Sequence, residues 1–167
     1  VWDLGEQWVV DFLKEGEEGF KAPLVVVCCQ GCGLAQLKHT VDRDLMYKNY
    51  WYRSATSETM KTALKETVES ALAHLGHRQP SVVCDIGAND GTLLGFLPDG
   101  SRNVAFEPAK NIMPENADFI IRDYFSEEAY PDHALGCADL VFTVAMFYDV
   151  DSPHEFMRDV YGVLHHE

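Results

Sequence analysis

Basic side chains are scarce in this sequence: 13 Lys and Arg stand against 27 Asp and Glu, for a formal net charge of −14. Nucleic-acid backbones are bound mainly through Lys and Arg, so the deficit excludes nucleic acid as the expected partner. Long apolar runs are missing as well. No stretch approaches the roughly 18 consecutive apolar residues of a membrane-spanning helix, and no basic segment followed by an apolar run marks a secretory leader. No membrane partner is expected, and the expected location is the cytoplasm. Cysteine is sparse, with 5 residues at positions 28, 29, 32, 84 and 137. That is too few and too uneven for a secreted disulfide scaffold, which leaves reduced thiols or metal ligation. Internal repeats, low-complexity tracts and a His-Glu-x-x-His spacing are absent. The chain also lacks an initiating Met: it begins at Val1 and stops at Glu167 directly after a helical pattern, so a fragment cut at both ends is expected.

What is present suits a folded protein. With 167 residues, 47% hydrophobic and 24% charged, the chain can hold one ordinary domain and a small appendage. Residues 23–28 (PLVVVC) form an apolar, β-branched run, and residues 34–41 (LAQLKHTV) alternate apolar and polar side chains, so the two read as a β-hairpin. Upstream, Trp8, Val9, Val10, Phe12 and Leu13 fit either an amphipathic turn or an extended arm. A connector then carries an aromatic box at residues 47–52 (YKNYWY) into a helix. Met60, Leu64, Val68, Ala71, Leu72 and Leu75 recur at helical spacing, Ser57 is the candidate N-cap, and Gly76 sits where a left-handed C-terminal residue belongs. The expected divisions are 1–45 for the hairpin module, 46–79 for the connector and linking helix, and 80–167 for the core.

From residue 81 the pattern changes to short apolar runs at 81–86, 103–106, 118–121 and 138–144, separated by helical or turn segments. Such runs fit strands buried on both faces, and their alternation predicts parallel βαβ units of a doubly wound α/β sheet. Ser152, Pro153 and Glu155 open a last helix with Phe156, Met157, Val160, Tyr161 and Leu164 as its buried stripe.

The residues richest in chemistry are 83–92 (VCDIGANDGT). A strand ends at Asp85, and Gly87 and Gly91 permit a tight turn and a close ligand approach at the carboxyl end of that strand. Asn89 stands where the dinucleotide fingerprint needs its second Gly, which disfavours a pyrophosphate. The pattern D-x-G-x-N-x-G resembles the first motif of class I S-adenosylmethionine-dependent methyltransferases. The second run ends at Glu107, and this resemblance makes it the carboxylate that grips the ribose hydroxyls. Two carboxylates at successive strand ends suit a ligand with an ammonium, a sulfonium and a ribose diol. The resemblance further implies that Asp85, Gly87, Asn89 and Gly91 of the loop hold the cofactor with Glu107, that Asp123 meets the adenine amine with Tyr124 against the ring, and that Ala145 also borders the cofactor, residues 145–149 lining the substrate side.

Cys29-x-x-Cys32-Gly33 joins the two hairpin strands and has the form of a zinc knuckle, with two thiolates at two corners of a tetrahedron. Cys28 and His39 are the nearby candidates for further ligands; Cys84 and Cys137 read as small apolar residues. Read in order, residues 23–24, the Cys29–Cys32 turn, residues 50–54 (YWYRS), the D-x-G-x-N-x-G loop and residues 146–149 (MFYD) resemble the sugar C-methyltransferase family. That family implies a Rossmann-like sheet preceded by a small zinc-knuckle hairpin. It also implies S-adenosylmethionine as cofactor, structural zinc whose other ligands lie upstream of Val1, and a small-molecule substrate that is a nucleotide-linked keto-sugar. The catalytic base is expected beyond Glu167 in a His-Glu-His motif; within the chain, Tyr52, Tyr148 and His154 are the remaining candidates. An O- or N-methyltransferase, or a non-catalytic zinc- or cofactor-binding module, are the alternatives.

Overall fold

β1 (Trp2–Trp8) runs antiparallel to β2 (Lys21–Cys28), and the register shifts between Asp3 and Glu6. Gly5 lies in the shift with a left-handed φ of 70°, and the Asp3 carboxylate accepts its N–H at 2.9 Å. A bulge at a glycine bends a strand in this way. β3 (Ala35–Leu37) completes a three-stranded sheet in the order β1-β2-β3. The β2–β3 pair is the hairpin read from the sequence, with a second strand shorter than residues 34–41. Lys38 still donates to the Val25 carbonyl at 2.8 Å, and the chain then bends toward α1 (Arg43–Tyr47), where Asp42 caps the Asp44 N–H.

The computed structural model describes residues 1–9, 13–76 and 78–166. Of residues 8–13, which the sequence left open, Trp8 ends β1, while Val10, Asp11 and Phe12 lie outside the described residues. The elements so far belong to one compact unit, Val1–Trp51; the second is Tyr52–Glu167. The boundary falls inside the aromatic box, so the linking helix belongs with the parallel sheet.

In the second unit α2 (Glu58–His74) is capped as its sequence dictates. Ser57 accepts the Met60 N–H, and Gly76 follows the helix with φ 66°. Four strands follow: β4 (Val82–Ile86), β5 (Arg102–Phe106), β6 (Phe119–Ile121) and β7 (Leu140–Phe142), with the short α3 (Asp132–Leu135) before β7 and α4 (Pro153–Val163) after it. They form an all-parallel sheet in the order β6-β5-β4-β7. Every residue of β4 is buried, as a central strand covered on both faces requires. Val82, Cys84 and Ile86 pack with Val104 and Phe106 against Phe156, Val160 and Val163 of α4. Val83 and Ala105 pack on the other face against Leu64 and Val68 of α2.

The connections are leaner than the alternating pattern suggested. After the Gly-containing loop the chain makes only a 3₁₀ turn, Leu94–Phe96, before β5. Gly91, Gly95 and Pro98 lie close together there, and glycine and proline are the weakest helix formers. No described helix joins β5 to β6. Arg122 secures that connection instead by donating to the Ala109 and Ile112 carbonyls. Beyond α4, the Ala138 N–H bonds the Val163 carbonyl and the His165 N–H bonds the Ala138 carbonyl, a parallel bridge pairing Ala138 with Leu164. This is one rung of further parallel pairing beside the start of β7.

Because Leu64 and Val68 of α2 pack on one face of the sheet, its N-cap is a sensitive point. Ser57→Ala is expected to lower unfolding stability by about 1 kcal/mol and Ser57→Asp to leave it near the wild-type value, read from urea denaturation.

Candidate functional site

β5 and β6 lie to one side of β4 and β7 to the other, so the chain reverses its direction of winding between β4 and β7. Open α/β sheets bind ligands at the carboxyl ends of strands beside such a reversal. The Gly87 and Ala88 N–H groups both donate to the Phe106 carbonyl, at 2.9 and 3.0 Å, which folds the loop after β4 over the end of β5. Gly87 has φ 74°, and the side chain of Met146, just past β7, comes within 3.5 Å of where a Cβ on Gly87 would stand. A residue with a side chain at 87 would be strained in backbone, with its Cβ in ordinary contact with Met146.

Two carboxylates meet here. Asp85 is only 3% exposed and Glu107 5%. Each Glu107 oxygen accepts a backbone N–H, Oε2 from Asn89 at 2.7 Å and Oε1 from Ala109 at 2.8 Å. Burial raises its pKa, while those N–H groups and the charges of Arg122 and Arg53 pull the other way. Asp85 has no such compensation. Burial, and then the nearby Glu107 charge, push its pKa up to about 7, and no described residue offers its carboxylate a hydrogen bond. A buried acceptor without a donor is costly on its own and becomes favourable when a ligand brings an N–H or a cation. The Thr143 hydroxyl, just past β7, is the side-chain polar atom among the described residues that is fully buried without a hydrogen-bond partner; the Asp85 carboxylate keeps a small residual exposure.

The other residues singled out in the sequence are placed as follows. Asn89 adopts φ 52° and is 9% exposed; its side chain bonds to Tyr52 and Ser54 rather than facing an open crevice. Gly91, φ 78°, makes a close approach to protein and not to open space: a Cβ there would overlap the Glu115 backbone. Asp123, after β6, is exposed and accepts the Tyr124 N–H at 2.8 Å. Ala145 holds a left-handed φ of 55°, strained for a residue with a side chain, immediately before Met146. Of the candidate bases, Tyr52 is partly buried with its carbonyl bonded to Asn89, Tyr148 is 75% exposed and His154 is exposed in the first turn of α4. The structure thus brings Asp85, Gly87, Asn89 and Glu107 together, with Met146 beside them. Sequence reasoning missed Arg53 and Arg122, the two guanidinium groups whose charges reach Glu107. A readable signal was Arg122 directly behind a strand in a chain poor in basic residues.

A separate hollow of about 380 Å³ lies at the opposite, amino-terminal end of the sheet, lined in part by Arg78, Arg102, Cys137 and Asp139. Asp139 there accepts the Ser81 and Val82 N–H groups and the Arg78 guanidinium, and Arg102 donates to the Leu135 carbonyl.

In the hairpin unit, Cys29 and Cys32 share one turn closed by bonds from Cys29 N–H to Leu34 and from Gly33 N–H to Cys29. The Cys32 and Gly31 N–H groups and the Cys32 thiol all favour thiolate at Cys29 and lower its pKa. Sulfur so oriented suits a soft metal. Among the described residues, however, no group of three or more His, Cys, Asp or Glu stands where it could hold an ion. The turn offers two corners of a tetrahedron, and the residues present do not complete a zinc site.

No protein-family model matches the chain. Over 148 residues it is 26% identical to the C-methyltransferase NovU of Streptomyces niveus, an alignment covering 85% of this chain and 35% of that protein. The chain is distantly similar to a C-methyltransferase. It spans about a third of that relative's length, and its parallel four-stranded sheet fits a Rossmann-like methyltransferase fold. No helix among the described residues is long and apolar enough to cross a membrane.

Two outcomes follow from the site's electrostatics. A raised carboxyl pKa means the folded chain keeps a proton that the unfolded chain has released between about pH 4 and pH 7, so stability falls as pH rises through that window. Asp85→Asn is therefore expected to stabilise the ligand-free chain by about 1–3 kcal/mol at pH 8 and much less at pH 5, read by urea denaturation. Metal analysis of the purified 167-residue chain should return well under one equivalent of zinc, since half a ligand set supplies little of the free energy that holds structural zinc.

Proposed function

We propose that this chain carries the cofactor-binding part of an S-adenosylmethionine-dependent methyltransferase that methylates carbon in a small molecule. The observation that carries the reading is the buried, donorless carboxylate of Asp85 beside Glu107 at the winding reversal. Such a pair suits a ligand with an ammonium group and a ribose diol, and it disfavours a phosphate. When bound, the cofactor supplies an electrophilic methyl group on a sulfonium.

The chain's own residues hold and orient. Asp85 offers a charge to the ammonium, and its low-dielectric surroundings strengthen that contact. Glu107, with one lone pair on each oxygen engaged by a backbone N–H, keeps further acceptor capacity for hydroxyls. Gly87 leaves room beside the crevice, and the residues after β7, Met146 with Phe147 and Tyr148, are read as the substrate side. Asp123 and Tyr124 are assigned to the base end of the cofactor. The finer reading, from the family resemblance, is a nucleotide-linked keto-sugar as substrate. A carbon beside a ketone must lose a proton to become nucleophilic, and the base must come within hydrogen-bond reach of that proton. Tyr52, Tyr148 and His154 are the candidates within the chain, and a base outside residues 1–167 is preferred over all three. In the same reading the Cys29–Cys32 turn supplies two ligands of a structural zinc site completed by other residues.

Calorimetric titration tests the reading. S-adenosylhomocysteine should bind more tightly than a nicotinamide dinucleotide, and Glu107→Ala should weaken it by about 1–3 kcal/mol, the cost of leaving hydroxyls unpaired. Tighter binding of the dinucleotide would overturn the assignment. With labelled S-adenosylmethionine and a keto-sugar nucleotide, residues 1–167 alone should bind the donor without multiple turnovers.

A further inference from the structure

Asn89 sits at the crossing of three segments. Its N–H donates to Glu107 Oε2 at 2.7 Å, its Nδ2 donates to the Tyr52 carbonyl at 3.1 Å, and its Oδ1 accepts the Ser54 N–H at 3.1 Å and the Asp90 N–H at 2.9 Å. The left-handed φ of 52° lets backbone and side chain diverge in this way, and Asn is among the few residues with a side chain that adopt it readily. Asp90 extends the junction. One of its oxygens accepts the Ala55 N–H at 2.8 Å, and the other holds the Thr92 N–H and hydroxyl. Arg53, between these anchored residues, reaches the Asn111 carbonyl at 2.7 Å, and its charge acts on Glu107. Residues 52–55 are thus bonded along the loop that ends β4 and to the connection that follows Glu107.

These bonds take both acceptor positions of Asn89 Oδ1 and one of the two Nδ2 hydrogens. We infer that Asn89 is a positioning residue rather than a ligand contact: it latches residues 52–55 against the loop as a wall of the crevice while its N–H orients Glu107. The inference rests on the assignment of that crevice to S-adenosylmethionine. Occupancy of the crevice and closure of the latch are then coupled, so releasing residues 52–55 weakens ligand binding although no ligand-contacting side chain has changed.

Two substitutions release the latch by different routes. Asn89→Gly keeps the left-handed backbone and the N–H to Glu107 and deletes only the side chain. Ser54→Pro removes the N–H that Asn89 accepts; Arg53 before it is already extended, at φ −130° and ψ 129°, as a residue before proline must be. The experiment measures S-adenosylhomocysteine affinity by calorimetry and amide exchange at Ala55, in the wild-type chain, each variant and the double variant. The expected result is slow Ala55 exchange in the wild type, slower still with ligand, and fast exchange in both variants. Affinity should fall about ten-fold in each, and the double variant should lose no more than the weaker single one, because both remove one shared interaction. If only one variant folds, its affinity and Ala55 exchange decide alone. Wild-type binding with unchanged affinity in the variants, despite faster exchange or a lowered melting temperature, overturns the latch and leaves the cofactor assignment standing. Absence of S-adenosylhomocysteine binding by the wild-type chain overturns the cofactor assignment and the latch with it.

Discussion

A buried carboxylate that no described residue compensates is the constraint around which the second unit is arranged. Asp85 occupies the end of the strand most deeply enclosed by the sheet and its covering helices. Glu107 beside it adds like charge in a largely buried setting. Burial of this kind destabilises the ligand-free fold, and packing on both faces of the sheet offsets the cost. α2 anchors one face through Leu64 and Val68, and α4 the other through Phe156, Val160 and Val163. What the fold gives up in stability it holds as an interaction open to a ligand donor. The difference in treatment of the two carboxylates matters. Glu107 is satisfied by two N–H groups and flanked by two guanidinium charges, so it is a fixed acceptor, whereas Asp85 changes its proton state near neutral pH.

The parts of the fold legible in the sequence are those set by local pattern. The four apolar runs lie within or around β4 to β7, and the 3.6-residue spacing with Ser57 and Gly76 gave α2. β1 was missed because its side chains are exposed along its whole length and its alternation is broken at Gly5, which leaves periodicity little to read. The short connections were overestimated for a similar reason. Leu93 and Leu94 favour a helix, but Gly95 and Pro98 stop it after one turn, and burial of Leu94 rather than helix propensity fixes its place.

For the candidate site, the loop pattern singled out residues that the structure gathers at one strand end, and the structure adds neighbours that spacing does not register. Gly91 looked like a ligand approach; its space is taken by the Glu115 backbone, a contact between residues far enough apart in sequence that spacing does not register it. Asn89 looked like part of a ligand cradle, and its side chain instead bonds Tyr52 and Ser54. Arg122 lies in no motif, and Arg53, though within the motif at residues 50–54, has no role assigned there. Their influence on Glu107 arises because the connections after β5 and before α2 converge on the same strand end. Residue type and order were legible; long-range hydrogen bonding was not.

The most direct test of the account is the proton count on binding. If Asp85 titrates near pH 7 and meets the ammonium of the ligand, S-adenosylhomocysteine binding at that pH should release about half a proton. Calorimetry in buffers of different ionisation enthalpy measures this directly. The account predicts a buffer-dependent heat for the wild-type chain that vanishes in Asp85→Asn. A binding heat independent of the buffer, or a proton release unchanged in Asp85→Asn, would contradict it.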